Sequence, residues 1–274
     1  MSRTTPSFKI SVLTAACLSV WALSSVHAQT PPAPTAPAAN STPGAAPSAP
    51  ATPPAAPGAL RPMKDFLKDA KSTPGYFTLH QKDDKVWLEI LPSQLGKPFF
   101  FSYNIPNSVG ERGLYGSQMG GSKLVEFKKI GNQIQLIAKN TQYFAKEGTP
   151  QAQFVSESFS DSLMSSAAVL TQPHPETKSI LIEANTLLFS DIPGYQTRLE
   201  ASFRMPFGLD VRNTSFSATK NSAALTGLEV RAHFAVPKIS APPMTPSQVP
   251  MPPPPAATPD PRSMFVSFYY SFMP

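Results

Sequence analysis

The sequence predicts a β-rich α+β fold: antiparallel sheets with few short helices, flanked by Pro/Ala-rich segments. Three observations carry this reading. Segments in which apolar and polar residues alternate recur between residues 76 and 272, with the period of two that a half-buried strand imposes. Helical periodicity is scarce over the same span. Two proline-rich tracts, 29–62 and 237–262, bracket a stretch of globular composition at 63–236, long enough to bury a sizeable core.

The elements follow in order. A short helix is expected at 63–70, the entry to the globular stretch. Residues 76–81 and 86–91 alternate and flank the polar turn Lys82-Asp-Asp-Lys85, a hairpin pattern. Residues 99–105, opening with Phe99-Phe-Phe, are apolar enough for the middle of a sheet. Residues 124–130 and 133–139 are separated only by Gly131-Asn132. Two residues with easy access to positive φ between alternating runs give the strongest hairpin signal in the chain. A second helix is expected at 160–170, capped by Ser160 or Asp161. Further strands are expected at 179–183, 214–220, 228–236 and 264–272.

The amino terminus carries an expectation about the compartment. Arg3 and Lys9 form a positive n-region, an apolar run from Ile10 to about Leu23 follows, and Val26-His27-Ala28 supplies small residues at −3 and −1. Residues 1–28 therefore read as a secretory signal peptide, and the chain is expected to be exported, periplasmic or extracellular. The apolar run falls short of the ~20 residues a bilayer span needs, so no transmembrane segment is expected after cleavage. The one cysteine, Cys17, lies inside the signal. A lipobox ending at Cys17 is the rival reading; it places Thr14 where an aliphatic residue belongs. Ordinary cleavage leaves no thiol, which excludes disulfides. It also removes Arg3 and Lys9, lowering the formal charge from +6 to +4. The excess is spread along the chain, unlike the clustered cations and interleaved aromatics of a nucleic-acid footprint.

Residues 29–62 hold eleven prolines among Ala, Thr, Ser and Gly. Such a segment cannot offset the entropy of folding and is expected to be a disordered, extended linker. Residues 237–262, again with eleven prolines, are expected to be a loop or linker. Between them, 63–110 reads as the first part of an N-terminal β-rich domain, continued by 111–150, and 151–236 as the start of a second. Residues 263–274 form a terminal strand rich in aromatics. Without a partner, Phe265, Tyr269 and their neighbours leave an open edge and an apolar face, which proteins normally cover.

Motifs for chemistry are missing. The histidines are His27, His80, His174 and His233, with no HExxH and no i, i+4 pair. No Gly-x-Ser-x-Gly elbow is present, and Glu157, Asp161, Asp191 and Asp210 stand in no arrangement that favours a paired acid and base. No catalytic constellation, metal site or cofactor is expected, and the chain is not expected to be an enzyme by itself. One segment is unusual: Gly110-Glu-Arg-Gly-Leu-Tyr-Gly-Ser-Gln-Met-Gly-Gly121, with five glycines. Ser122-Lys123 reverses the order a phosphate loop requires, and a strand pattern follows where the anion site needs a helix N-terminus. The segment reads as a mobile loop over a groove or a neighbouring domain, with Arg112, Tyr115 and Gln118 as contact residues.

From about Met63 to Pro274 the chain resembles the N-terminal, non-catalytic region of secreted bacterial zinc-dependent metallopeptidases. In these a signal and a low-complexity spacer precede two consecutive uncharacterised domains, and the HExxH domain follows. The resemblance rests on the order of several motifs: Gly75-Tyr-Phe-Thr-Leu-His80; Trp87-Leu-Glu-Ile90 with Pro92-Ser-Gln-Leu-Gly-Lys-Pro-Phe-Phe100; the Gly-rich loop; Phe154-Val-Ser-Glu-Ser-Phe159 with Asp161-Ser-Leu163; and Tyr269-Tyr-Ser-Phe-Met-Pro274. It implies that zinc ligands and general base lie downstream, so the chain is expected to be the truncated front part of such a protein. Two functions are then expected as alternatives. One is an exported accessory module for a metallopeptidase catalytic domain, in trans or lost from the gene. The other is a stand-alone binding protein for a peptide or glycan.

Overall fold

Alternation becomes strands almost wherever the sequence shows it. The structure, a computed structural model, describes residues 60–239 and 251–274. The signal, the linker up to residue 59 and the part of the second Pro-rich tract at 240–250 lie outside the described residues. In chain order the elements are α1 (Met63–Leu67), β1 (Lys71–Thr73), β2 (Thr78–Lys82), β3 (Lys85–Ile90), β4 (Pro98–Ile105), β5 (Gln118–Ile130), β6 (Gln133–Ala138), α2 (Pro150–Ser158), β7 (Ser162–Ala168), β8 (Ile180–Glu183), α3 (Ala184–Leu188), α4 (Tyr195–Phe203), β9 (Gly208–Leu209), β10 (Ser215–Ser222), β11 (Leu225–Ala235) and β12 (Ser263–Met273). The fold is β-rich, with antiparallel sheets and few short helices.

Two sheets result. The smaller has the order β1-β2-β3-β8; the larger runs β10-β11-β12-β4-β5-β6-β7, with β9 also on β11. Strands from 63–150 and from 151–236 enter both sheets, and the described residues fall in one compact unit. The facing sides of the sheets build one core. Phe77, just before β2, with Leu79, Leu88 and Ile90 of the small sheet meet Phe99, Phe101, Phe127 and Phe272 from the large one. Phe77 lies edge-on to Phe99, Phe127 and Phe272, with centroids 5.4, 5.3 and 5.9 Å apart. Such pairs add about 0.5–1.5 kcal/mol each beyond burial. Leu187 and Leu188 of α3 and Tyr195, Leu199 and Phe203 of α4 join the same core.

The last strand corrects one expectation. β12 is not an edge: it pairs with β11 from Ser263 to Phe272 and with β4 from Tyr269 to Met273. Met264, Val266, Phe268, Tyr270 and Phe272, at every second position, are buried, so Phe268, Tyr270 and Phe272 belong to the core of this chain, while Phe265 on the opposite face stays 38% exposed. Sequence order hid this, because β12 inserts between strands from both earlier stretches.

The second correction concerns 160–170. This stretch is β7, laddered on β6 from Gln133↔Ala168 to Ala138↔Ser162. The helix starts earlier, where Thr149 accepts a hydrogen bond from Ala152 N at 3.3 Å and Pro150 occupies the first turn, the position that tolerates its missing N–H. Asp161, expected as a cap, instead accepts from Asn140 N at 2.8 Å and from Lys139 Nζ. The free side of β6 recruits the Ser-Leu-Met-Ser-Ser-Ala-Ala run, whose own periodicity is indecisive.

Candidate functional site

The Gly-rich segment folds back on its own chain. Gly110 N donates to Leu114 O at 2.8 Å and Leu114 N to Glu111 O at 2.9 Å, and the Leu114 side chain is buried. Arg112 donates from Nη1 to Ser202 O at 3.1 Å, its guanidinium 5.4 Å from the Phe203 ring centroid. Gln118 is the first residue of β5; its Nε2 donates to Gly113 O at 3.3 Å and its Oε1 accepts from Arg198 Nη2 at 3.2 Å. Both residues thus fasten the loop to α4, while Tyr115 is 53% exposed. Glu111 Oε1 accepts from Ala256 N and Ala257 N at 2.8 and 3.1 Å, tying down part of the second Pro-rich tract. Gly120 lies inside β5, where a Cβ would strike the Tyr103 ring at 2.3 Å; close approach explains this glycine.

An open groove lies elsewhere. Leu124 and Ser122 of β5, Phe100 of β4, Lys139, Asn140 and Ser162 line a space of about 550 Å³. It adjoins a smaller one of about 290 Å³ between the loop at 139–145 and α2. Phe100, Tyr143 and Phe144, which line these two spaces, remain 52, 48 and 89% exposed; Phe154 of α2, edge-on to Phe159 at 6.4 Å, is 63% exposed. Tyr143 stacks on Phe159 at 3.8 Å, a rigid aromatic platform. Lys139 lies 3.6 Å from Glu126 as well as against Asp161. Its ammonium is held above its ordinary value chiefly by the Asp161 hydrogen bond, while burial and that bond compete on the Asp161 carboxyl with a net lowering. Nothing in the sequence marks this groove as a site: Phe100 and Phe159 carry only the family resemblance, and Asp161 stands among carboxylates with no paired arrangement.

Folding also builds two serine–histidine–carboxylate networks that no sequence spacing announces. In the small sheet, Ser72 and His80 are cross-strand partners. Ser72 Oγ lies 2.7 Å from His80 Nδ1, His80 Nε2 lies 3.0 Å from Glu89 Oε2, and Ser179 Oγ donates to Glu89 Oε1 at 2.5 Å. The hydrogen bond with His80, opposed by burial and supported by Ser179, holds the Glu89 carboxyl below its ordinary range. In the large sheet, β9 pairs Leu209 with Phe234 and so brings Asp210 beside His233; the β11–β12 register sets Ala235 opposite Ser263. Asp210 Oδ2 lies 3.0 Å from His233 Nδ1, and Ser263 Oγ lies 2.8 Å from His233 Nε2. Asn213, donating at 2.6 Å, and then His233 hold the Asp210 carboxyl below its ordinary value. Asp210 was among the carboxylates weighed in the sequence, but its partners lie 23 and 53 positions further along, and only the strand register joins them.

Among the described residues no group of three His, Cys, Asp or Glu is placed to hold a metal ion, and no helix is long and apolar enough to cross a membrane. Compared with known proteins, residues 60–108 match the family model of a domain of unknown function, DUF5118. The match covers α1 to β4 and the start of the following loop. No curated protein and no solved structure matches the chain.

Proposed function

We propose that this chain is an exported accessory module of the kind that stands before the catalytic domain of a secreted zinc-dependent metallopeptidase. It docks on such a domain in trans and has no zinc-dependent peptidase activity of its own. One observation carries the reading: Phe100, Tyr143 and Phe144 are exposed together around an open groove. Clustered aromatics on a folded surface are costly to leave in water and are enriched where partners bind. The motif order of the sequence supports the peptidase context, and the DUF5118 match over 60–108 is to a domain of unknown function. The pairing of β12 on both sides moves the docking surface away from that strand. The central test is capture of a secreted HExxH peptidase domain by the immobilised chain. Tyr143→Ala with Phe144→Ala should weaken capture tenfold or more at unchanged melting temperature; equal capture by the double variant would remove the groove from the account.

A second reading, a stand-alone binder of a peptide or glycan, draws on the same groove. Ser122, Asn140, Gln142 and Ser162 line it and offer donors and acceptors beside aromatic faces, the combination a polar ligand with apolar patches needs. Calorimetric titration with soluble oligosaccharides and unstructured peptides separates the readings: binding without any peptidase domain supports the second.

A further inference from the structure

We propose that Ser263 is a nucleophile for metal-independent acyl transfer, with His233 as its general base and Asp210 as the residue that positions the imidazole. The substrate class is small, soluble carboxylic esters. This goes beyond the accessory reading, which concerns docking and the lack of zinc chemistry.

The geometry is that of an activated hydroxyl. A serine alcohol is a weak nucleophile until an adjacent base takes its proton as the new bond forms, and that base must be held in one orientation by a third group. Here Ser263 Oγ is 2.8 Å from His233 Nε2 and Asp210 Oδ2 is 3.0 Å from Nδ1, distances within reach of proton transfer. The carboxylate is itself fixed, accepting from Arg212 N at 3.1 Å and Asn213 Nδ2 at 2.6 Å. The imidazole is braced by Phe265, whose ring centroid is 4.8 Å away, and the Asp210 main chain anchors to the same residue through Asp210 N→His233 O at 2.8 Å. Phe265, packed on the imidazole, is 38% exposed and offers an apolar surface for an acyl group. Arg231, two residues along the strand from His233, sets its guanidinium 3.6 Å over the same Phe265 ring, a positive charge on the face of the strand that carries His233.

The reaction balances without any further reagent. Ser263 Oγ attacks the ester carbonyl carbon while its proton passes to His233 Nε2. The tetrahedral intermediate collapses, breaking the bond to the alkoxide, which leaves with the proton from His233 as an alcohol. Water then attacks the acyl-serine, His233 accepts its proton and returns it to Ser263 Oγ, and the carboxylic acid departs.

The test uses p-nitrophenyl acetate with the purified chain and a chelator present. Expected are saturable turnover and, after acid quench, an acetyl group mapped by mass spectrometry to Ser263. Ser263→Ala and His233→Ala should each lower kcat/KM on the order of 10³-fold, and Asp210→Asn should lower kcat on the order of 10²-fold or more with KM little changed. The split matters, because a carboxylate that merely props up the fold would disturb both constants and the melting temperature. Turnover by Ser263→Ala within about twofold of the parent, acetylation only at other residues, or no turnover beyond that of free imidazole would each overturn the proposal.

Discussion

The two histidine networks contain the same three chemical groups and differ in what surrounds them. In the small sheet the His80 side chain is 5% exposed and Glu89 is 18% exposed; in the large sheet His233 is 12% and Asp210 30% exposed. Orientation differs too. Ser72 meets Nδ1, the ring atom next to the imidazole's own strand, so a leaving group would have to reach a nitrogen crowded by backbone. Ser263 meets Nε2, the outer ring atom. The first network lies on the opposite side of the small sheet from the aromatic core, beside Trp87 and Leu181, which pack with Met63, Phe66 and Leu67 of α1. It closes hydrogen bonds that would otherwise be lost under cover, and so pins three strands together. The second stands at the mouth of a ladder, where the same bonds cost little to break and reform. The first set is the more covered and serves the structure; the second, more exposed, is the one on which the proposed acyl transfer rests.

That contrast can be broken at several points. The largest difference should come from the histidines themselves. His80→Ala removes two hydrogen bonds and strands a part-buried carboxylate, and should cost about 3 kcal/mol. His233→Ala, at a more open site, should cost about 1 kcal/mol or less. Urea unfolding measures both, and equal losses would erase the distinction.

The acid limb of stability comes next. The folded Glu89 carboxyl is depressed below its unfolded value. Its contribution is therefore present above the unfolded value and is lost as pH falls through the folded one. Thermal melts from pH 7 down to about 3 should show a loss that Glu89→Gln largely removes; an identical pH profile in the variant would contradict the pinning role.

Smaller still is the Gly-rich loop. Arg112→Ala should cost about 1 kcal/mol, since it loses the bond to Ser202 O and the contact with Phe203. Adding Tyr115→Ala should change stability little, because that ring is exposed. A double variant as stable as the parent would restore the loop as a free contact surface.

How far these features could be read beforehand follows from how local each one is. The Gly131-Asn132 hairpin was legible because two turn residues and two alternating runs sit side by side, and Ile130↔Gln133 closes it as expected. α4 was not legible. Its first amides are satisfied by Asp191, which accepts from Tyr195 N at 2.7 Å and Gln196 N at 2.8 Å, a cap placed too far ahead of the helix for the usual spacing to show it. The aromatic run of β12 was visible as a strand, while its place at the centre of the large sheet depends on β4, more than 150 positions earlier. Asp210, His233 and Ser263 were each visible, yet no periodicity links residues that meet only through strand register.

The most direct measurement of the central contrast is exposure of the intact chain to a fluorophosphonate, followed by peptide mapping of every serine. A time-dependent adduct is expected on Ser263 that disappears in His233→Ala, with Ser72 and Ser179 unlabelled. Labelling of Ser72 at a comparable rate, or an untouched Ser263, would contradict it.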